Sequence, residues 1–341
     1  MSASLESTVV ALPRLPPGWQ LVTTAVLADD KLALLATDVD LAHEWRRDPD
    51  GRVLGKPWEV AARATARLWC FADEMLEEGP SFPLERPFLQ IDRFEDGRWL
   101  VVAGRTENEP NARVMAPDGQ LLARFMLGDG IEHAGVDRHN RIWVGWFDEG
   151  VFGNEEWRVP DEEWPPSHRG IGVFSADGDY QPLPAFPERA GIIADSYALN
   201  LADDGAWVCP YTDFPLLHLQ PHRPVRWWSN EVTGPGALAV SGGHVLLAGG
   251  YGANADRLTL VTLEGDGNGE AARPLAIWRL PLVPRQPQPG EAPPIAEHHP
   301  WQYPTLLDGR GDTIHMIQDG AWYRWRVTDA VLACRDMGDH S

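Results

Sequence analysis

Six hairpins spaced along the chain, turns rich in Asp-Gly and Asn, and an abundance of tryptophan, glycine and proline predict an all-β fold. The specific expectation is a β-propeller of six four-stranded blades with one inserted helix. The 341 residues include 16 Trp, 33 Gly and 30 Pro, a mixture suited to many short strands joined by tight turns. Hydrophobic residues at 43% and charged residues at 23% are ordinary globular values, so a sizeable core can form.

The clearest repeat is GIEHAGVDRHNRIWVGWFDEG, residues 130 to 150. Ile131, His133 and Gly135 share one face of its first strand. Asp137 to Asn140 make the turn, and Ile142, Val144 and Trp146 alternate with Trp143 and Gly145 on the return. Five further copies read as LVTTAVLADDKLALLATD, FLQIDRFEDGRWLVVAGR, SYALNLADDGAWVCPYTD, GALAVSGGHVLLAGGYG and QYPTLLDGRGDTIHMIQDG. Their turn residues Asp30, Gly97, Asn140, Gly205, Gly243 and Gly311 lie 38 to 68 residues apart, one blade or a blade plus an insertion.

A second hairpin follows most copies: EWRRDPDGRVLGK, RVMAPDGQLLARF, GVFSADGDYQPLP and LTLVTLEGDGNGEAARPLAIWRL. Two hairpins make the four strands of a blade. The expected blades run over residues 19–60, 88–127, 131–187, 192–230, 235–281 and 301–335 of a single domain. The last, AWYRWRV, lacks a fourth strand, which either the N-terminal STVVALP or the C-terminal AVLACR could supply.

VDRHNRIWVGWFDEG, IDRFEDGRWLVVAG and LNLADDGAWVCPY resemble the repeats of bacterial six-bladed propellers of the NHL and two-component-regulator type. The resemblance covers nearly the whole chain and implies a fold, not an activity. No Trp-Asp dipeptide occurs, which argues against a WD-repeat propeller.

Long insertions are expected at residues 61–87, 148–169 and 281–300, all in the class of links that crowds one face of the ring. Loops on a rigid scaffold are where binding and catalysis usually sit. The first insertion carries Ala64, Leu68, Phe71 and Met75 at helical spacing, which predicts an amphipathic helix. The second mixes acids with Phe152, Trp157 and Trp164, and the third is proline-rich and therefore extended.

A formal net charge of -21 repels phosphate backbones and anionic lipid, so nucleic acid and membrane are not expected partners. The first residues lack the basic and apolar parts of a secretory leader, which leads to the expectation of a cytoplasmic protein. Cys70, Cys209 and Cys334 are too scattered for a disulfide framework or zinc knuckle.

The first strands should start, and the second strands end, at the loop-rich face. This places Gln90, Arg105, His133, Asp148, Asp195, Tyr197, Tyr211, Asp213, Tyr251, Gln302 and Tyr303 around the channel mouth as candidate ligand-binding residues. Glu132, Asp148 and Asp195 are the candidate metal ligands, for a divalent cation such as calcium or zinc; no other cofactor is implied. His133 with Asp148 is the favoured pair, while the adjacent His298 and His299 point apart in an extended segment.

No G-x-S-x-G, phosphate-binding glycine loop or complete calcium loop is present, and no catalytic residue is assigned. The expected function is recognition, without catalysis, of a small molecule, peptide or protein at the loop-rich face. A metal-dependent hydrolase or lactonase using the mouth carboxylates is one alternative, and a protein-assembly scaffold is another.

Overall fold

The computed structural model describes residues 5–39, 57–281 and 306–338. Each of the six hairpins forms. After β1 (Thr8–Ala11) the first sheet contains β2 (Gln20–Val26), β3 (Leu32–Thr37), β4 (Thr65–Ala72) and β5 (Met75–Pro83), antiparallel and in that order. The second contains β6 (Leu89–Arg93), β7 (Trp99–Ala103), β8 (Ala112–Met115) and β9 (Leu121–Phe125). The third contains β10 (Ile131–Val136), β11 (Ile142–Trp146), β12 (Ile171–Phe174) and β13 (Tyr180–Gln181).

The remaining strands join into one twelve-stranded sheet. It holds β14 (Asp195–Ala202), β15 (Gly205–Tyr211), β16 (Leu216–Leu219) and β17 (Arg226–Asn230), then β18 (Ala237–Ser241), β19 (His244–Ala248), β20 (Arg257–Leu263) and β21 (Asn268–Arg279). Last come β22 (Leu306–Arg310), β23 (Thr313–Gln318) and β24 (Ala321–Arg326), with β1 antiparallel to β24 so that Thr8 faces Arg324 and Ala11 faces Ala321. Parallel pairs, β14 with β22 and β17 with β21, connect these three groups of four.

First strands neighbour one another in sequence: β2 lies beside β6 and β22, β6 beside β10, β10 beside β14, β14 beside β18, and β18 beside β22. Apolar side chains of successive sheets meet face to face. Leu35 and Leu68 pack with Ile91 and Val101; Val102 and Val114 with Val144 and Trp146; Val173 with Leu199 and Val208. Leu216 packs with Leu247, Leu260 with Met316, and Trp69 and Leu34 with Ile317 and Trp322.

One expectation of the fold is corrected. The helix expected over residues 61–87 is absent: α1 covers only Pro57–Ala61, and the stretch that follows is the β4–β5 hairpin. Both faces of β4 are buried, Leu68 and Cys70 toward the second sheet and Trp69 and Phe71 toward the last strands. A strand covered on both sides loses the alternation that distinguishes it from a helix. Asp73 and Glu74, with φ of 49° and 61°, form its two-residue turn, a conformation matched to strand twist.

The first four-stranded group therefore extends to Pro83 and does not end at residue 60. The hairpin expected at residues 44 to 56 and the insertion at 281–300 lie outside the described residues, apart from Pro281. Of the two segments left open for the strand beside AWYRWRV, the N-terminal one takes the place. AVLACR lies within α3 (Val327–Gly338), whose Val327 and Ala330 are buried against β19 and β20, and β1 takes the place beside β24. Between β11 and β12 the chain forms α2 (Asp148–Gly153), a loop and a 3-10 turn at Pro166–Arg169.

Candidate functional site

The beginnings of the first strands are irregular. A β-bulge interrupts pairing between Leu21 and Thr23 in β2, between Ile131 and His133 in β10, and between Asp195 and Ala198 in β14. Bulges re-aim side chains, and Glu132, Ser196 and Tyr197 sit at two of these interruptions. Glu132 and His133, adjacent in β10 and both expected at the channel mouth, line the same axial cavity.

The axis holds a cavity of about 190 Å³ lined from β2, β6, β10, β14 and β22. At one end Asp92, almost fully buried, accepts hydrogen bonds from the Val136 and Arg93 backbone amides, both at 2.7 Å, and from Arg310 Nη1 at 3.1 Å. Arg310 Nη2 also donates to the Val136 carbonyl at 2.6 Å. Farther along, Gln90 Nε2 donates to the carbonyls of Ile131 and Glu132 at 3.2 and 3.0 Å, and its oxygen accepts from Ala134 N at 2.5 Å. Both ends of this amide are thus used in joining β6 to β10. His133 and Asp308 line the same cavity; burial pushes the Asp308 carboxyl up, and His133 opposes the rise.

Four of the expected residues gather at the mouth. Asp195 is half-buried, and burial followed by the negative fields of Glu132 and Asp148 raises its carboxyl to about 6, with His133 acting in the other direction. His133 makes no ion pair with Asp148; its Nε2 sits 3.3 Å from the Tyr197 carbonyl. Asp148 is exposed at the start of α2, where its Oδ1 accepts from Glu149 N at 2.8 Å. Among the described residues no three His, Cys, Asp or Glu side chains are arranged to hold a metal ion, so the carboxylates share a field without forming a coordination set.

Beside them stands an aromatic wall. Tyr251 donates its hydroxyl to that of Tyr197 at 2.8 Å, with ring planes at 79° and centroids 6.0 Å apart. The two rings therefore meet at their hydroxyl ends. Tyr211, opposite Asp195 in the β14–β15 ladder, lies 6.0 Å from Tyr197, and buried Phe214 packs within 6 Å of all three rings. Tyr211 and Tyr251 remain 43% and 47% exposed. Burial and the shared hydrogen bond hold the Tyr251 phenol above its ordinary value, hence neutral.

Two candidates stand apart. Arg105 is bound to Asp129 at 3.1 Å and Glu149 at 2.8 Å and lies over the Phe147 ring, whereas Asp213 occupies an exposed turn with φ of 54°. Gln302 and Tyr303 lie outside the described residues, as do His298 and His299. Phe214 and Asp308 were not expected at the site. Asp308 lies within β22 and Phe214 three residues after Tyr211, just past the end of β15, and neither belongs to a motif.

No known protein family and no curated protein matches the chain. Solved structures do. Over 94% of this chain and 99% of the other it is similar to a catalytically inactive virginiamycin B lyase from Staphylococcus aureus with quinupristin, at 11% identity and a TM-score of 0.47. It is similar to a functionally unknown protein from Desulfotomaculum acetoxidans over 79% of this chain and 73% of that one, also at 11% identity and 0.47. It is also similar to BBS1N in complex with ARL6DN, at 11% identity and 0.41, over 96% and 97% of the two chains. Among the described residues no helix is long and apolar enough to cross a membrane.

Proposed function

We propose that the protein is a six-bladed β-propeller that acts as a recognition module, holding a cationic group of a small molecule or peptide at the mouth of its axis. The neighbour order of the first strands and the apolar packing between successive sheets support the ring. Pairing of β1 with β24 supplies the fourth strand of the last blade.

The observation that carries the functional reading is the environment of Asp195. Burial, then the negative fields of Glu132 and Asp148, raise the Asp195 carboxyl beside the Tyr197, Tyr211 and Tyr251 rings, so a positive guest would relieve that repulsion. Tyrosine faces attract the same guest through their quadrupoles, and aromatic walls with a carboxylate suit substituted ammonium groups. Chain-wide negative charge steers such a ligand inward.

The test is a titration at constant ionic strength with tetramethylammonium and with tert-butanol, its neutral counterpart in shape. Binding of the cation alone, weakened about tenfold in Asp195→Asn, is the expected result. Equal binding of both probes would overturn the reading.

A second reading has one observation in its favour: a carboxyl near 6 suits a general base at neutral pH. In that case Asp195 would take a proton from a bound substrate or water.

A further inference from the structure

A second concavity adjoins the mouth. Between α1 and the β6–β7 and β10–β11 hairpins lies a groove of about 730 Å³, a volume in the ~300–1,000 Å³ range of small-molecule sites. Its rim carries two exposed aromatics. Trp58, 39% exposed on α1, and Phe88, 46% exposed ahead of β6, have centroids 6.2 Å apart and planes at 69°. Phe88 has φ of +57°, a left-handed backbone that is unusual for a bulky side chain and is commonly retained at ligand sites.

The far wall is Phe147, covered by Arg105 at 5.5 Å. Gly104 contributes bare backbone, since a Cβ there would lie 2.9 Å from the Ile131 carbonyl. Trp58, Phe88 and Phe147 all line the groove.

Charge selects the guest. Arg105, the one basic residue lining the groove among the described residues, is bound by Asp129 and Glu149. Glu107 and Glu132 line it as well and have no basic partner within ion-pair distance among the described residues. Glu132 also lines the axial cavity, so it stands at the boundary between the two spaces.

We infer that this groove binds a planar aromatic cation, its ring against Trp58 and Phe88 and its ammonium group toward Glu132 and Glu107. The site extends beyond the mouth reading: it shares Glu132 with the mouth but needs neither Asp195 nor the tyrosines. An anionic aromatic would meet the Glu107 and Glu132 carboxylates, and an aliphatic cation would make no ring-to-ring contact.

The experiment compares tryptamine, indole and indole-3-propionate by calorimetry with the full chain. Tryptamine should bind about tenfold more tightly than indole, and indole-3-propionate more weakly than either. Trp58→Ala should cost tryptamine about tenfold, with Phe88→Asn, which tolerates the left-handed backbone, as a second variant. Glu132→Gln should bring tryptamine down to the level of indole. Equal affinities for the three probes, or tryptamine binding indifferent to Trp58→Ala and Phe88→Asn, would overturn the inference. Loss of tryptamine binding in Asp195→Asn would also overturn it, by assigning the cation to the mouth. Failure of tetramethylammonium to bind while tryptamine behaves as expected would reject the mouth reading and leave this one standing.

Discussion

Arg310 Nη1 donates to the Asp92 carboxylate at 3.1 Å, joining β22 to β6 across 218 residues of sequence. Both side chains are largely removed from solvent, at 11% and 3% exposure. Arg310→Met would leave a buried carboxyl with only its two amide donors. The expected cost is about 3–5 kcal/mol, read as a lower denaturation midpoint. Adding Asp92→Asn should recover part of that loss, because the uncompensated charge is then gone; strictly additive losses would show that the two groups are not coupled.

Asp195 makes the stability depend on pH in the direction opposite to an ordinary ion-paired carboxylate. Its carboxyl rises from 3.8 to about 6 on folding, so the folded chain keeps a proton that the unfolded chain releases between those values. Folding stability from this group falls as pH rises through that window and is level above it. Asp195→Asn should therefore raise Tm near neutral pH, with the gain shrinking as pH falls from about 6 to about 4 and level below that. The same titration governs a cationic ligand, whose affinity should climb as pH passes 6. A gain in Tm that does not vary with pH would contradict the account.

His315 acts in the other direction. Buried on β23, it accepts a hydrogen bond at Nδ1 from Trp322 Nε1 at 3.3 Å, and burial lowers its imidazole from 6.5 to about 3. The unfolded chain binds a proton there first, so the stability His315 contributes is full above about pH 6.5 and is lost as pH falls toward 3. The Tm difference between the parent and His315→Gln should narrow steadily on acidification. A constant difference over that interval would refute it.

Gly309 marks the closest approach of β22 to β18, for a Cβ there would fall 1.7 Å from the Leu238 carbonyl oxygen. Both are backbone-fixed, so neither can yield cheaply. Gly309→Ala should destabilise by about 1–3 kcal/mol or more. Gly311→Ala, two residues on, meets no atom within 4 Å and serves as a comparison: its φ of 56° imposes backbone strain without a clash. A Gly309→Ala loss no greater than that of Gly311→Ala would show that the strands separate freely.

The hairpins were legible because their signals are local. In DRHN and EDGR a turn sequence sits between runs whose apolar residues alternate, and β10–β11 and β6–β7 follow directly. What was hidden depends on distant partners. TARLWCFA reads as a helix until both of its faces are seen to be covered, one by the second sheet and the other by strands from the opposite end of the chain. Glu132, Asp195 and Asp148 were placed at a common mouth from strand direction alone, whereas the field they share and the absence of a three-ligand metal geometry among the described residues needed coordinates. Trp58 and Phe88 carried no motif, since their pairing arises where α1 happens to lie beside the entry to β6.

The β1–β24 ladder also imposes a timetable. A ribosome adding about 5–20 residues per second needs roughly 15–60 s to travel from Thr8 to Arg324, its partner in register. During that interval Val9 and Val10 wait as an unpaired ribbon while the earlier sheets assemble, each exposing a fresh edge to its surroundings. A strand made before all the other strands described is therefore seated only after β24, the last of them, has emerged.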